Sequence, residues 1–340
     1  MTKQRQTAAR SADVARLAGV SRSAVSRTFT EGAYVSEETR KKVLEAARML
    51  NYSPNAIARS LSKRTTGLVG IIAADLYNPV HAEMLERMSR GLQARGFGIV
   101  LLVPDTSNFD EFIPRLLSYQ VDAVITTVAT LDTHLPLAAL QTGRPVVMMQ
   151  QILGTNVLNS VSSDDYGGGL AAGNLLSKTG HTRIAYMSGR SDTANNRDRE
   201  RGLRDALAAH GLLLHAEQPG YFTMEGAAAA ARRLLSLSPR PDAIFCANDL
   251  MALVTLQVAR GEFGIAVPDD LAIVGYDNSS PASWSSPGLT SVGPDMAEMV
   301  ELTIDMVVRK IASGDAEVEH QLVPVRMFER QTTRATASKN

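Results

Sequence analysis

Arg22, Ser23, Ser26 and Arg27 fall within six residues, inside the stretch ADVARLAGVSRSAVSRTFT that runs from Ala12 to Thr30. Side chains of these two types can hydrogen-bond to base edges and phosphates, and an arginine can pair bidentately with guanine. Arg22 and Ser23 stand where a helix would begin, the end best placed to read bases. Ser26 and Arg27 lie one turn further along, where Arg27 reaches a base or a phosphate. Arg16 belongs to a preceding segment and would lie nearer a nucleic-acid backbone. Arg40, Lys41 and Lys42 would hold phosphate or stay solvated.

The elements that must position these groups follow from local signals. Val14, Ala15, Leu17 and Ala18 have helical spacing, with Ser11 available as a cap. Gly19 ends that helix, because glycine takes a left-handed turn without strain. Ser21 caps a second helix that runs to about Phe29, with Ala24, Val25 and Phe29 as its apolar side. A third helix from about Ser36 to Asn51 offers Val43, Leu44, Ala47 and Leu50 to a small core. Two short helices joined by a tight glycine turn make a helix-turn-helix. An ordinary three-helix packing unit would show the same apolar spacing, so charge has to separate the two readings.

The chain of 340 residues has 35 Lys and Arg against 35 Asp and Glu, a formal net charge of zero. Residues 1–64 carry 13 basic and 5 acidic residues, and the other 276 carry 22 and 30. A small basic head on an acidic body suits a polyanion partner at the head. Immediately after it, Ser53-Pro54 starts a helix of about two turns, with Ile57, Ala58 and Leu61 on one face. Such a helix is marginal alone. Two copies meeting at Ala58, with Leu61 projecting, would form an apolar wedge for a minor groove. Asn55 lies on the same short segment, and Lys63 and Arg64 would sit near phosphates. A flexible linker is the other reading of this stretch.

From Thr66 onward, Val- and Ile-rich runs (Leu68–Ala73, Gly98–Val103, Ala123–Thr127, Val146–Met149, Ile184–Met187, Ala243–Ala247, Leu271–Gly275) alternate with helical segments such as 79–95, 165–179, 197–210, 224–236 and 248–260. This alternation predicts an α/β body with parallel sheets, and about 275 residues suit two doubly wound lobes. Ligands of such sheets bind outside the carboxyl ends of the strands.

Several signals are set aside. GGGLAA at 167–172 fits a weak dinucleotide fingerprint, but a glycine-rich helix start is simpler, with Asp164-Asp165 as cap. There is no GxxxxGK[ST] loop, no GxSxG elbow and no metal-ligand spacing, so no cofactor or metal is expected. The single cysteine, Cys246, reads as core and fits a reducing compartment. No apolar run approaches a membrane span, and the polar N-terminus lacks a signal-like apolar region. The expectation is a soluble, cytoplasmic protein.

DVARLAGVSRSAVSR, VSEETRKKVLEAARMLNYSPNAIARSL, NPVHAEM, SSDDYGGGLAAGNLL, ANDLMA, PDDLAIVGYDN and LTSV occur in this order along nearly the whole chain. In this the sequence resembles regulators of the lactose-repressor (LacI/GalR) family. The resemblance implies an N-terminal all-α helix-turn-helix head (1–52), a hinge (53–65) and a periplasmic-binding-protein-like body (66–340). It further implies lobe 1 at about 66–162 and 292–322, and lobe 2 at about 163–291 and 323–334, with crossings near 162, 291 and 322. The implied activity is that of a non-enzymatic repressor, binding a near-palindromic operator as a homodimer with affinity set by a small effector. By the same resemblance the DNA contacts are Ser21, Arg22, Ser23, Ser26, Arg27, Asn55, Ala58, Leu61 and Lys63. The effector contacts are Val80, His81, Thr127, Gln150, Arg199, Tyr221, Asn248, Asp277 and Trp284. An Arg, Asn and Asp set beside an aromatic suits a sugar, sugar acid or related metabolite. Asp249 could instead be a helix cap and Asp277 could hold a turn. The tail QTTRATASKN has no heptads, so a dimer is expected and not a tail-mediated tetramer. The alternative is a solute-binding module without a DNA-reading role, which the basic head opposes. A doubly wound enzyme fused to the head would need a catalytic constellation, and none is legible.

Overall fold

The computed structural model describes residues 9–30, 32–53, 65–104, 116, 118–127, 143–150 and 158–334. The chain divides into two compact units, Met1–Thr66 and Gly67–Asn340.

In the first unit, α1 (Ser11–Ala18), α2 (Arg22–Thr28) and α3 (Glu37–Met49) enclose Val14, Ala15, Val25, Val43, Ala46 and Ala47. Phe29 and Tyr52 close the end of this core edge to face, with ring centroids 6.0 Å apart. Gly19 ends α1 at φ 65, and the next N–H, of Val20, returns to the Ala15 carbonyl at 3.0 Å. Ser21 caps α2 by accepting from the Ala24 N–H, and Ser36 caps α3 by accepting from Thr39. Two details differ from the sequence reading. Ser11 is already helical, and the first turn is tied instead by the Arg10 N–H donating to Asp13 at 3.0 Å. Leu44 is nearly half exposed, and Ala46 takes its place in the core because it lies one turn from Val43 on the inner face. Arg40, partly buried, also donates to the Thr28 carbonyl at 3.3 Å, fastening the end of α2 to α3. The hinge residues Asn55, Ala58, Leu61 and Lys63 lie outside the described residues.

The second unit runs β1 (Leu68–Ile72), α4 (Pro79–Ala94), β2 (Gly98–Leu102), β3 (Ala123–Thr126), β4 (Val146–Met149), β5 (Asn159–Ser163), α5 (Asp165–Lys178), β6 (Ile184–Ser188), α6 (Ala194–Ala209), β7 (Ala216–Pro219), α7 (Met224–Leu235), β8 (Ala243–Cys246), α8 (Asp249–Gly261), β9 (Ala272–Tyr276), β10 (Thr290–Pro294), α9 (Met296–Ser313), β11 (His320–Val323) and β12 (Val325–Phe328). One sheet has the order β11-β5-β4-β3-β1-β2 and the other β12-β10-β9-β8-β6-β7. Every pairing is parallel except β10 with β12. Fully buried apolar strands such as β8 and β9 are what helices on both faces of a parallel sheet require.

The chain passes between the sheets at Asp164, Asp295 and Pro324, each two to four residues beyond the positions expected near 162, 291 and 322. Strand pairing is the reason: β10 stays in register with β12 as far as Pro294, and β11 with β5 as far as Val323.

The last glycine of the GGG run in GGGLAA, Gly169, serves a helix crossing. A Cβ on Gly169 would lie 2.1 Å from the Arg199 carbonyl oxygen, and one on Gly202 would lie 2.1 Å from that of Tyr166. Only glycine lets α5 and α6 approach this closely. Gly169→Ala is therefore expected to destabilise the body by about 3 kcal/mol, the upper part of the overpacking range. Chemical denaturation reads this as a lower midpoint, and an unchanged midpoint would show that the helices can separate freely.

Candidate functional site

In the first unit, α2 turns Val25 and Thr28 inward and leaves Ser21, Arg22, Ser23, Ser26 and Arg27 exposed. Arg22 and Ser26, and likewise Ser23 and Arg27, are four residues apart, so the four share one side of the helix. Among the described residues Arg22 makes no hydrogen bond or ion pair. Arg27 donates only weakly to the Ser23 carbonyl, at 3.4 Å, and Ser23 shares a 2.8 Å hydrogen bond with the capping Ser21. Arg16 is held by Asp13 at 2.6 Å. The face thus presents a fixed helix with one unengaged guanidinium at its N-terminal end.

In the second unit, a cleft of about 580 Å³, partly open to solvent, lies between the two sheets at the carboxyl ends of their strands. His81, Thr127, Gln150, Arg199, Asn248 and Asp277 line it, as do Ala74, Asp75, Asn78, Asn195 and Phe222, which sequence reasoning missed. Asp75 and Asn78 directly follow β1, a strand-end signal that could have found them. Val80 is buried and does not line the cleft, because α4 turns its neighbour His81 that way instead. Tyr221 is 54% exposed, and Phe222 beside it supplies the aromatic wall. Trp284 is also exposed and stands away from the lining, at the end of a short 3-10 turn, Ser280–Ser283.

Four of the lining residues hold left-handed backbone: Asp75 (φ 53), Gln150 (φ 70), Phe222 (φ 61) and Asp277 (φ 107). Tyr221 and Asn278 beside them do the same, at φ 58 and 51. Strain of this kind, gathered at one place, marks a site where geometry matters more than local stability.

Arg199 is the electrostatic centre of the cleft. It is 5% exposed, its Nε donates to Asp165 at 2.8 Å, and its terminal nitrogen donates to the Ala247 carbonyl. Its guanidinium carbon lies 3.5 Å from the centre of the Tyr276 ring. Burial works to lower its pKa, but the charges of Asp165, Tyr276 and Asp277 win and hold it above the usual arginine value. Burial pushes the Asp165 carboxyl up, against Arg199, and pushes Asp277 well up, again against Arg199. Asp249, also buried, is pushed up to about 6 although Ser291 and Ser279 donate to it. Those contacts are 2.6 Å from Ser291 Oγ, 2.7 Å from Ser279 N–H and 2.9 Å from Ser279 Oγ. The cap of α8 is Asn248, whose side-chain oxygen accepts from Met251 at 2.9 Å, while Asp249 is the first helical residue.

The remaining groups offer unpaired hydrogen-bonding capacity. Burial lowers the pKa of His81, and its Nδ1 faces the Ala74 carbonyl at 3.2 Å. A neutral imidazole must donate there, which leaves Nε2 as an acceptor. Thr127 Oγ1 is buried without a hydrogen-bond partner among the described residues. Two hydrogen bonds join the lobes beside the cleft: Tyr77 OH donates to the Phe222 carbonyl at 3.3 Å, and the Ser280 N–H donates to Glu83 at 3.1 Å. Among the described residues no group of three His, Cys, Asp or Glu is placed to hold a metal ion, and no helix is long and apolar enough to cross a membrane.

Comparison with known proteins places this chain in a family. Residues 12–55 match the bacterial regulatory proteins of the lacI family, and residues 174–333 match the periplasmic binding protein-like domain. The ribose operon repressor of Escherichia coli K12 is 33% identical over 93% of this chain and 97% of its own length. The HTH-type transcriptional repressor PurR of Photobacterium profundum is 30% identical over 90% of this chain and 92% of its own. The crystal structure of the lac repressor dimer bound to operator and the anti-inducer ONPF superposes with a TM-score of 0.87 at 26% identity, over 97% of this chain and all of that one. The match to these repressors runs along almost their full length, and this chain belongs to the lacI family of bacterial regulatory proteins.

Proposed function

We propose that the protein is a ligand-responsive, sequence-specific transcriptional repressor that binds a near-palindromic operator as a homodimer. The observation that carries this reading is the exposed side of α2, with Arg22 unengaged at its start, on a unit of strongly basic sequence joined to a body with a polar cleft. In this reading α2 enters the major groove, with Arg22 and Ser23 at base edges and Ser21, Ser26 and Arg27 at bases or phosphates. The hinge residues Asn55, Ala58, Leu61 and Lys63 meet the minor groove between the half-sites.

The effector is a small hydroxylated metabolite, a sugar, sugar acid or relative, held by His81, Thr127, Gln150, Arg199, Asn248 and Asp277. Phe222 stacks on it, Val80 stands behind that set and Tyr221 beside it, while Trp284 stands away from it. The complex of the transcriptional regulator CelR with cellobiose, a structure 32% identical in sequence to this chain, supports the ligand class. The protein acts in the cytoplasm by binding and not by turnover. An effector shifts operator affinity only by its different affinity for two lobe arrangements. The Tyr77–Phe222 and Glu83–Ser280 hydrogen bonds belong to the arrangement described here.

The test is to incubate the purified protein with sheared DNA from its source genome at physiological salt and to sequence what it retains. Recovery of a compact inverted repeat is expected, and genes beside it would name effectors to try. Recovery of nothing above background, with and without a metabolite extract, would remove the DNA-reading role and favour a plain solute-binding module.

A further inference from the structure

Asp277 lines the effector cleft, while its neighbour Asn278 lines a second groove of about 840 Å³ at the crossover between the lobes. Glu83 and Arg87 of α4 come from the first lobe, and Arg326, Phe328 and Arg330 come from the β12 segment of the second. Three guanidiniums therefore share a groove with two carboxylates, Glu83 and Asp295.

Both carboxylates are already engaged. Glu83 accepts the Ser280 N–H across the lobes at 3.1 Å. Asp295 caps α9 by accepting from Ala297 at 2.9 Å and Glu298 at 3.2 Å. None of the three arginines forms an ion pair among the described residues. Arg87 and Arg326 are exposed, and their side chains make no hydrogen bond among the described residues. Arg330 is half-buried, beside the Phe328 ring at 5.6 Å, and donates only to neutral oxygens: the Leu289 carbonyl at 2.6 Å and the Asn278 side chain. Burial lowers the pKa of Arg330, and the charge of Asp249, which accepts no hydrogen bond from it, opposes this. A partly desolvated cation without a paired anion is costly to keep, and an anion entering the groove would relieve that cost.

We propose that this groove binds a small, multiply charged anion of the phosphate-ester or pyrophosphate class, held between Arg87 of one lobe and Arg326 and Arg330 of the other. Arginine suits this chemistry because its planar donors match phosphate oxygens in pairs. The site is independent of the DNA-reading role and of the sugar cleft, but it is wired to the cleft. Arg330 holds the side chain of Asn278, and Asp277-Asn278 is a left-handed pair packed against β10. A Cβ on Gly293 would lie 2.7 Å from the Asp277 carbonyl carbon, so this turn has no slack. An anion that draws Arg330 toward itself shifts Asn278, and with it the carboxyl of Asp277 in the effector cleft. Linkage then makes the two ligands change each other's affinity by the same factor.

Sodium pyrophosphate is the probe, titrated calorimetrically into the full-length protein at constant ionic strength. Saturable binding is expected at one site per chain. It should weaken at least tenfold in the Arg87→Ser/Arg326→Ser double variant, which keeps the parent melting temperature because both side chains are exposed and unpaired. It should be unchanged in Arg22→Ala/Arg27→Ala, which removes cations from the head instead. Affinity that survives the groove substitutions, affinity that is lost with the head substitutions, or no saturable binding at all would each overturn the proposal.

Discussion

Replacing Arg199 by methionine is expected to remove about 3–5 kcal/mol from the stability of the body, because the substitution leaves a buried carboxylate without its partner. Methionine fills most of the space, so the loss measures charge more than volume. The side chain now holds Asp165 at 2.8 Å and the Ala247 carbonyl, lies over Tyr276, and offsets Asp277. Without it, Asp165 and Asp277 lose the cation that offsets them, while the charge of Asp249 still raises Asp277. The pH dependence gives the test its sign. Burial already raises all three carboxyls in the folded state, Asp249 to about 6, and loss of the guanidinium raises Asp165 and Asp277 further. A carboxyl with a raised folded pKa lets the native state bind protons that the unfolded state releases. Stability is then fullest below the unfolded value near 4, and is lost as pH rises through the folded value. The deficit of Arg199→Met against the parent should therefore be widest above the raised folded values of Asp165 and Asp277, and narrow as pH falls through those values towards the unfolded value near 4. Denaturant midpoints of the body across that window would show it. A deficit independent of pH would mean that Arg199 acts through packing alone. Arg199→Lys keeps the charge but cannot hold a carboxylate and a carbonyl in one plane, so it should recover only part of the loss.

This network also shows where sequence stops being informative. Gly19, Ser21 and Ser36 are local signals, each effective within four residues, and the head is legible because its fold depends on them. Asp165 lies 34 residues before Arg199, and nothing along the chain pairs them; the pairing arises from the crossing of α5 and α6 at Gly169 and Gly202. Strand β5 is similarly silent. Its letters, NSVSS, are mostly polar, yet the whole strand is buried. Cross-strand partners satisfy two of its polar side chains: Asn159 donates to the Val146 carbonyl at 3.2 Å, and Ser160 shares a 2.8 Å hydrogen bond with His320. At the cleft, the strand-end rule finds Asn248 and Asp277, but single-residue choices escape it. Left-handed backbone at both Tyr221 and Phe222 decides which ring faces inward, and helix phase in α4 decides between Val80 and His81. Neither choice is visible as composition or spacing.

On the DNA side the largest expected effect belongs to Arg22. It is the first residue of α2, exposed, and without a hydrogen bond or ion pair among the described residues, whereas Arg16 is held by Asp13 and Arg40 by the Thr28 carbonyl. A guanidinium that is free to make a bidentate contact with a base contributes about 1–3 kcal/mol of discrimination. Arg22→Ala should therefore weaken binding to the selected operator by roughly 5- to 150-fold, with non-specific DNA almost unaffected. The fold of the head should survive, because Arg22 is exposed and Ser21 still caps the helix. Lys63→Ala is the contrasting variant. A phosphate contact carries no sequence information, so its loss should weaken all DNA about equally and flatten the salt dependence by about one unit of slope. Binding isotherms on operator and scrambled duplexes at several salt concentrations separate the two patterns. If both variants lose specificity to the same degree, α2 does not read bases through Arg22. If Arg22→Ala instead lowers affinity for every duplex alike, its guanidinium holds phosphate, and base readout must rest on Ser23, Ser26 or Arg27.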